Sequence, residues 1–551
     1  MSASITRHFV NVGTRRVHYT RAGDGPPLVL LHESPCSSKA MAVYQLAFAE
    51  HFTAIAFDTP GFGLSDPLSL DQPEIADFAD ALAEALDALG VARTAVFGRH
   101  TGASIAVEFA RRHSDRCAVA VVDGYPIYSS TQRQRRLTNY LTPLQPSWEG
   151  AHLLWLWFRY RDQHVFWPWN DHDAAHRSDA DVPPLDYLHR GVVELLEAGD
   201  GYRIPYAAAF RHGGQALDVL PHLRVPVCFA VSEGDSLFRT LTLFPAGTWT
   251  ASLPRDKVAA ARVILPLLLC HPISSTALPP ARIGEIPGRT TCDYVEVSGG
   301  QLLVRSAGAA TDVPPVVVLH DVPGSSALLD PLIIAVGQHR RTLAFDLPGQ
   351  GESMTHGATP DVATWAKSVL EAMGRLGVSS AHLYAHGTGG VVGVEIAARA
   401  PHRVASLILG APPTLPPDLR ARLAPDYAPS AAPEWDGSHL LRVWHHLRDQ
   451  ELWWPWTDRT RAAVRQGEPD IDPEHLNLRA RECLKQAPHY RPAWQSVLSY
   501  PLQEKLAALS VPVVTLAAER DLFGRYADAA AVRIADGWDA RASAILASLP
   551  N

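Results

Sequence analysis

Slid along itself, the sequence falls into register once, at a displacement close to 287 residues. "LVLLHESPCSS" (28–38) is echoed by "VVLHDVPGSS" (317–326), and "AFDTPGFGLSD" (56–66) by "AFDLPGQGES" (344–353). "HTGASIAVEFA" (100–110) returns as "GTGGVVGVEIA" (387–397), and "RDQHVFWPW" (161–169) as "RDQELWWPW" (448–456). The displacement is 288 between His32 and His320, 287 between Thr101 and Thr388 and 286 between Asp235 and Asp521. So steady a shift means a duplicated domain, and the chain must build the same fold twice.

Residues 1–270 are expected to form the first domain and 291–551 the second. The stretch 271–290, with four prolines and no hydrophobic period, is a linker whose midpoint falls near residue 280. Each copy opens with two short alternating strands, at 6–11 and 15–21 and again at 291–297 and 301–306. Apolar strands then alternate with helical periodicity, as a parallel sheet with crossover helices requires. The strands are expected at 28–31, 54–57, 95–98, 119–122 and 225–231, and at 316–319, 343–345, 383–385, 407–410 and 511–517. Helices at 73–89 and 361–376 lie between them. Before its last strand each copy inserts a long Trp-rich helical segment, about 126–215 and 412–498, placed to act as a lid over the carboxyl end of the sheet.

Composition narrows the function. A formal charge of −8 argues against a nucleic-acid partner, and the run Arg133, Arg135, Arg136 reads as a solvated helix face. The longest apolar run, 258–270, contains Arg262 and Pro266 and is too short to cross a bilayer. The chain opens directly into strand-like sequence with no leader pattern. Six scattered cysteines lack metal or redox spacing and read as reduced thiols, which points to the cytoplasm. No nicotinamide, phosphate or metal motif is present, so no cofactor or metal is expected.

The strand followed by His-x-x-Pro, then Asp-x-Pro-Gly-x-Gly-x-Ser, then a strand–Gly-x-x-x-Gly–helix, resembles the α/β-hydrolase superfamily. It is most similar to the epoxide-hydrolase, haloalkane-dehalogenase and C–C-hydrolase branch. The resemblance covers both copies and implies two tandem α/β-hydrolase domains. In that superfamily the elbow reads Gly-x-nucleophile-x-Gly. Here it reads Gly98-Arg99-His100-Thr101-Gly102 and Ala385-His386-Gly387-Thr388-Gly389. Neither centre is Ser, Cys or Asp. The acid position is kept as Asp235 and Asp521, but no histidine lies between His222 and His271 and none follows His489, where the family's base would stand. The resemblance therefore implies degenerate catalytic triads and excludes an acyl-serine mechanism. The family's His-Gly after the third strand is replaced by His32-Glu33 and His320-Asp321.

His100 stands where this architecture exposes a side chain at a helix start. The helix dipole is expected to lower its pKa, keeping it neutral as general base or nucleophile. Glu33 or Asp235 would orient it, with Tyr125, Asp123 and His32 near the same edge. The opposing reading is a hydrogen-bonded residue in a dead site. Gly387 cannot attack anything, so the second copy, with Asp321, Asp521 and Arg448, reads as scaffold, partner or regulatory half. Ten of the fourteen tryptophans fall within 148–169 and 435–456. They pack the inserted helices, or wall a pocket in which Trp155, Trp167, Trp169 and Arg161 bind an organic ligand, or do both.

The reading is an atypical hydrolase or lyase acting on a small apolar or aromatic carbonyl, ester or lactone-type substrate by hydrolysis, C–C cleavage, elimination or cyclisation. The rival is an inactive pseudo-hydrolase that binds a ligand or serves as scaffold. The halves are expected to pair as an intramolecular pseudo-dimer, with a homo-oligomer also open.

Overall fold

The computed structural model describes residues 4–271, 273–274, 283–354 and 359–549. Part of the expected linker, residue 272 and residues 275–282, lies outside the described residues. Two compact units divide the chain between Ile283 and Gly284, with the segment Pro146–Leu154 belonging to the second.

The first unit holds an eight-stranded sheet: β1 (Thr6–Val12), β2 (Arg15–Ala22), β3 (Pro27–Leu31), β4 (Thr53–Phe57), β5 (Thr94–Arg99), β6 (Cys117–Asp123), β7 (Val227–Ser232) and β8 (Thr250–Leu253). Their spatial order is β1-β2-β4-β3-β5-β6-β7-β8. β1–β2 and β2–β4 pair antiparallel, and every pair from β4–β3 onward is parallel. The second unit repeats this with β9 (Thr291–Val297), β10 (Gly300–Ala307), β11 (Val316–Leu319), β12 (Thr342–Phe345), β13 (Ala381–His386), β14 (Val404–Gly410), β15 (Val513–Ala517) and β16 (Val532–Arg533). Read from the β9 edge, the order is identical.

The central strands are apolar along their whole length because helices cover both faces. The pleat divides them. Val29, Leu31, Ile55, Phe57 and Val96 join helices Ile75–Ala88 and Thr101–Arg112 in one core. Leu28, Leu30, Ala54, Ala56 and Phe97 join helices Ala42–Phe48 and Lys257–Leu269 in the other. The same alternation puts Val317 and Leu319 on one side of the second sheet and Val316 and Val318 on the other. β8 and β16, which the sequence pattern does not announce, are short, largely exposed edge strands. β7 and β15 begin two residues later than expected, just after Pro226 and Pro512, which lack the N–H a ladder needs.

The recurrent Asp-x-Pro-Gly-x-Gly motif is structural. Asp58 accepts the amides of Ser38 (2.8 Å) and Leu64 (2.9 Å) and bonds the His18 ring (2.8 Å). Asp346 accepts the amides of Ser326 (2.8 Å) and Glu352 (2.9 Å). Gly63, at φ 52°, lies so close that a Cβ would collide with the Asp58 carboxylate. Between β6 and β7 run helices Ser130–Arg135, Ala151–Asp162, Leu185–Ala198 and Arg203–Gly213, and a comparable insertion separates β14 from β15. Trp157, Trp444 and Trp454 are buried within these insertions, so packing accounts for part of their tryptophan content.

Asp58→Ala would leave a buried histidine and two buried amides without their acceptor. Loss of such a partner costs about 3–5 kcal/mol. The urea midpoint of the full chain should fall accordingly, and an unchanged midpoint would contradict a structural role.

Candidate active site

β5 passes into helix Thr101–Arg112 through one residue, His100, at φ 47° and ψ −106°. A non-glycine residue with positive φ is strained by about 1–3 kcal/mol and persists only where its surroundings enforce it. They do so through glycine. A Cβ on Gly98 would strike the Gly102 backbone, and one on Gly102 would strike the carbonyls of Leu31 and His32. The second unit makes the same turn with Gly387 at φ 48°, where no strain arises.

The His100 ring lies over Gly124, where a Cβ would clash with it. Its Nε2 sits 2.7 Å from Oδ2 of Asp235, and the His100 side chain is 30% exposed. An ionised carboxylate only accepts, so Nε2 carries a proton and donates it to Asp235. Nδ1 is then the nitrogen that gains or loses a proton, and it has no protein partner among the described residues. Asp235 also accepts the Leu237 amide at 2.8 Å. The helix dipole does not set the imidazole's pKa as expected. Burial acts to lower it, but the charge and hydrogen bond of Asp235 outweigh burial, and the pKa is raised above the usual 6.5. Asp235 shifts the opposite way: burial would raise it, yet His100 holds it below the usual carboxylate range.

Glu33 is turned elsewhere. Arg99 donates from Nη1 to Glu33 (2.9 Å) and from Nε to Asp123 (2.9 Å), so one guanidinium spans two carboxylates. Burial would raise the Glu33 pKa, but Arg99 brings it down to about 2. Asp123 is fully buried and also accepts the amide (2.9 Å) and hydroxyl (3.0 Å) of Ser232. Lys257 opens the terminal helix, within electrostatic reach of Glu33, and burial pushes its pKa down. Sequence reasoning assigned no role to Arg99 or Lys257. The signal for Arg99 was available, since Arg99 and Asp123 close neighbouring strands in register.

Other expected site residues are placed differently. Tyr125 is fully buried, its hydroxyl bonding His212 (2.8 Å) and donating to the Ala216 carbonyl (3.2 Å), so it is core. His32 is 1% exposed; Nε2 accepts the Thr59 amide (3.0 Å) and Nδ1 donates to the Glu33 carbonyl (2.9 Å). Both nitrogens are committed to the backbone, and His320 repeats the arrangement with Leu347 and Asp321. Arg161 donates to Asp162 (3.1 Å) and covers the Phe158 ring, while Trp155 and Trp169 meet edge to face. Arg448 donates to Asp449 at 3.0 Å.

In the second unit Asp321 takes the space a side chain at Gly387 would need. Its Oδ1 accepts the amide (2.8 Å) and hydroxyl (2.9 Å) of Thr388. The amide after the elbow is the donor that stabilises oxyanions in this fold, and here a resident carboxylate occupies it. Asp521 pairs with the buried Arg541 (2.7 Å), which also donates to the Tyr384 hydroxyl (3.2 Å). The Thr101 amide, at the equivalent point of the first unit, has no such occupant among the described residues.

Beside Asp235, its chain neighbours Ser236 and Leu237 form one wall of a cleft of about 440 Å³. Tyr128, Arg136, Tyr140 and Trp167 of the insertion also line it. His100, Arg161, Trp155 and Trp169 do not line it. Among the described residues no group of three His, Cys, Asp or Glu side chains is placed to hold a metal ion, and no helix is long and apolar enough to cross a membrane.

A family model described as alpha/beta hydrolase fold matches residues 26–142 and again 314–435. With the sheet order and the elbows, these two matches show an α/β-hydrolase fold built twice in tandem. Its similarities run toward a soluble epoxide hydrolase of Corynebacterium sp. (strain C12), 38% identical over 117 residues, 21% of this chain and 40% of that protein. Haloalkane dehalogenase 2 of Mycobacterium tuberculosis is 34% identical over 101 residues, 18% of this chain and 35% of the other. The chain thus spans two-fifths or less of these relatives' length. Among solved structures, Epoxide Hydrolase A from Mycobacterium thermoresistibile is 17% identical with a TM-score of 0.39, covering 48% of this chain and 98% of that one.

Asp235→Asn should return the His100 pKa toward or below 6.5. Imidazole resonances followed against pH, with His100→Ala supplying the assignment, measure this directly, and an unmoved titration would remove Asp235 from the pair.

Proposed function

We propose that the first unit is a cofactor-independent hydrolase for a small ester or lactone, with His100 as general base. The observation that carries this is the 2.7 Å contact between Nε2 of His100 and Asp235 at the strained elbow. With Nε2–H committed to the carboxylate, neutral Nδ1 is free to take a proton from an attacking water. Charge developing on the substrate carbonyl would face the Thr101 amide and the positive end of its helix. The same Nδ1 lone pair would serve direct nucleophilic attack, and base-promoted C–C cleavage, elimination or cyclisation makes the same demand on it. Degeneracy of the usual triad is part of this reading: an imidazole at the nucleophile position takes the acid position's carboxylate as its own partner. The Trp-rich insertion would act as lid. The second unit, its elbow amide occupied by Asp321, would contribute no turnover.

One observation favours a second reading, a ligand-binding protein without chemistry: the cleft is walled by residues around Asp235 and not by His100 itself.

Tested against a panel of aryl esters, lactones and epoxides, His100→Ala should lower kcat/KM by at least about a hundredfold, the usual scale for a general base. Equal rates would favour the binding reading. The base must be deprotonated, and its pKa is raised above 6.5. Activity is therefore expected to be low at pH 6 and to climb through one ionisation above 6.5, moving to lower pH in Asp235→Asn. A profile flat from pH 5 to 9 would exclude the imidazole as base.

A further inference from the structure

The cleft wall carries a cation that the protein leaves uncompensated. Arg136 is 8% exposed and lies over the Tyr128 ring (4.3 Å) and near that of Trp167 (5.5 Å). It donates a long hydrogen bond to the Gln132 carbonyl (3.4 Å) and interacts with the Tyr128 hydroxyl, while its Nε is buried without a partner and no carboxylate among the described residues pairs with it. The carboxylate on the same wall, Asp171, is taken by Arg135 at 2.9 Å. Against Tyr140 sits a second buried arginine, Arg159, 1% exposed and 5.0 Å from that ring; its Nη1 donates to Gln163 (2.8 Å), while Nε and Nη2 are unpartnered and no carboxylate among the described residues pairs with it.

An uncompensated buried charge is costly, and this chain, with 57 acidic residues, does not lack carboxylates. The duplication shows that packing does not demand the charge. Trp169 Nε1 donates to the Tyr140 carbonyl as Trp456 Nε1 does to that of Tyr427, which fixes the register between the insertions. In that register Leu423 replaces Arg136 and is equally buried, and His446 replaces Arg159 with both ring nitrogens bonded, to Tyr490 and Gln450.

We propose that this cleft is an organic-anion site, in which Arg136 receives the carboxylate of a ligand and Tyr128, Tyr140 and Trp167 hold its flat apolar body. The site deepens the hydrolase reading: resting on that reading, the substrate is an ester or lactone that also carries a free carboxylate. The cleft volume, about 440 Å³, suits a ligand of this size.

The full chain is titrated calorimetrically with phenylacetate, benzoate and 3-phenylpropionate, and with phenylacetamide as the neutral comparison. At least one carboxylate should bind at least tenfold tighter than the amide. Arg136→Leu should lose at least tenfold of that affinity, leave amide binding unchanged, and unfold at a temperature equal to or above wild type. Equal binding of acid and amide, no binding of any carboxylate, or undiminished carboxylate affinity in Arg136→Leu would overturn the proposal. A marked fall in that variant's unfolding temperature would also overturn it, by making the arginine structural. His100→Ala separates the two readings: a variant that keeps both carboxylate binding and turnover sinks the catalytic reading alone, whereas turnover lost in His100→Ala together with a wild type that binds no carboxylate sinks the anion site alone.

Discussion

Each sheet must hand its central strand to a helix within a single residue, and the backbone has room for this only where glycines allow carbonyls and amides nearly to touch. Gly102, and Gly389 in the second unit, sit against the carbonyls at the end of the neighbouring strand, β3 or β11, and Gly98 sits against the Gly102 backbone. The turn leaves one positive-φ residue at the carboxyl edge of the sheet and one helix amide beside it. Everything chemically distinctive about the two units follows from what each places at those two points.

In the first unit the charges are kept apart. Arg99 holds Glu33 and Asp123 at one end of the edge, and Asp235 holds His100 at the other, so the elbow amide stays open. In the second unit the residue before the elbow is His386, at 3.5 Å from Asp321, and burial lowers its pKa despite that neighbour. A neutral imidazole is a poor anchor for a carboxylate. Asp321 instead swings into the volume that Gly387 leaves empty and takes the Thr388 amide. Two substitutions, Arg99 against His386 and His100 against Gly387, thereby convert an open anion-stabilising corner into a self-satisfied one. At the end of β14, Gly410 stands in register where Asp123 stands in β6, and the Tyr384 hydroxyl and Arg541 crowd that space.

The repeat, the strand positions and the elbow were legible in the sequence because they rest on spacing: a constant offset, apolar runs of strand length and glycines at fixed intervals. Asp235 was one of two partners the sequence offered His100, both positions being set by the fold, and the choice between it and Glu33 was not legible. What the sequence concealed is the competition among neighbouring charges. His32 and Tyr125 carry chemistry-bearing side chains, yet backbone amides and core packing claim them. Glu33 pairs with Arg99, whose strand-end register with Asp123 makes it the stronger partner. The direction of the His100 pKa was missed because a helix dipole, equivalent to a fraction of a charge, was weighed without the full charge of a carboxylate at hydrogen-bond distance. The arginine run 133–136 looked like a solvated face, and only burial separates Arg136 from its exposed neighbour Arg135.

Duplication gives the molecule an internal control that a single domain lacks. At three matched positions the first unit holds the more costly choice: a strained histidine against a glycine at the elbow, a buried arginine with no carboxylate partner against a leucine, and a second such arginine, with two nitrogens unbonded, against a histidine with both nitrogens bonded. A shared fold built twice shows that none of the three is needed to fold. Strain and unsatisfied charge that the architecture does not require tend to survive where they serve a site. Their coincidence in one unit, at the elbow and around the neighbouring cleft, is the physical reason to look for chemistry in the first half and for none in the second.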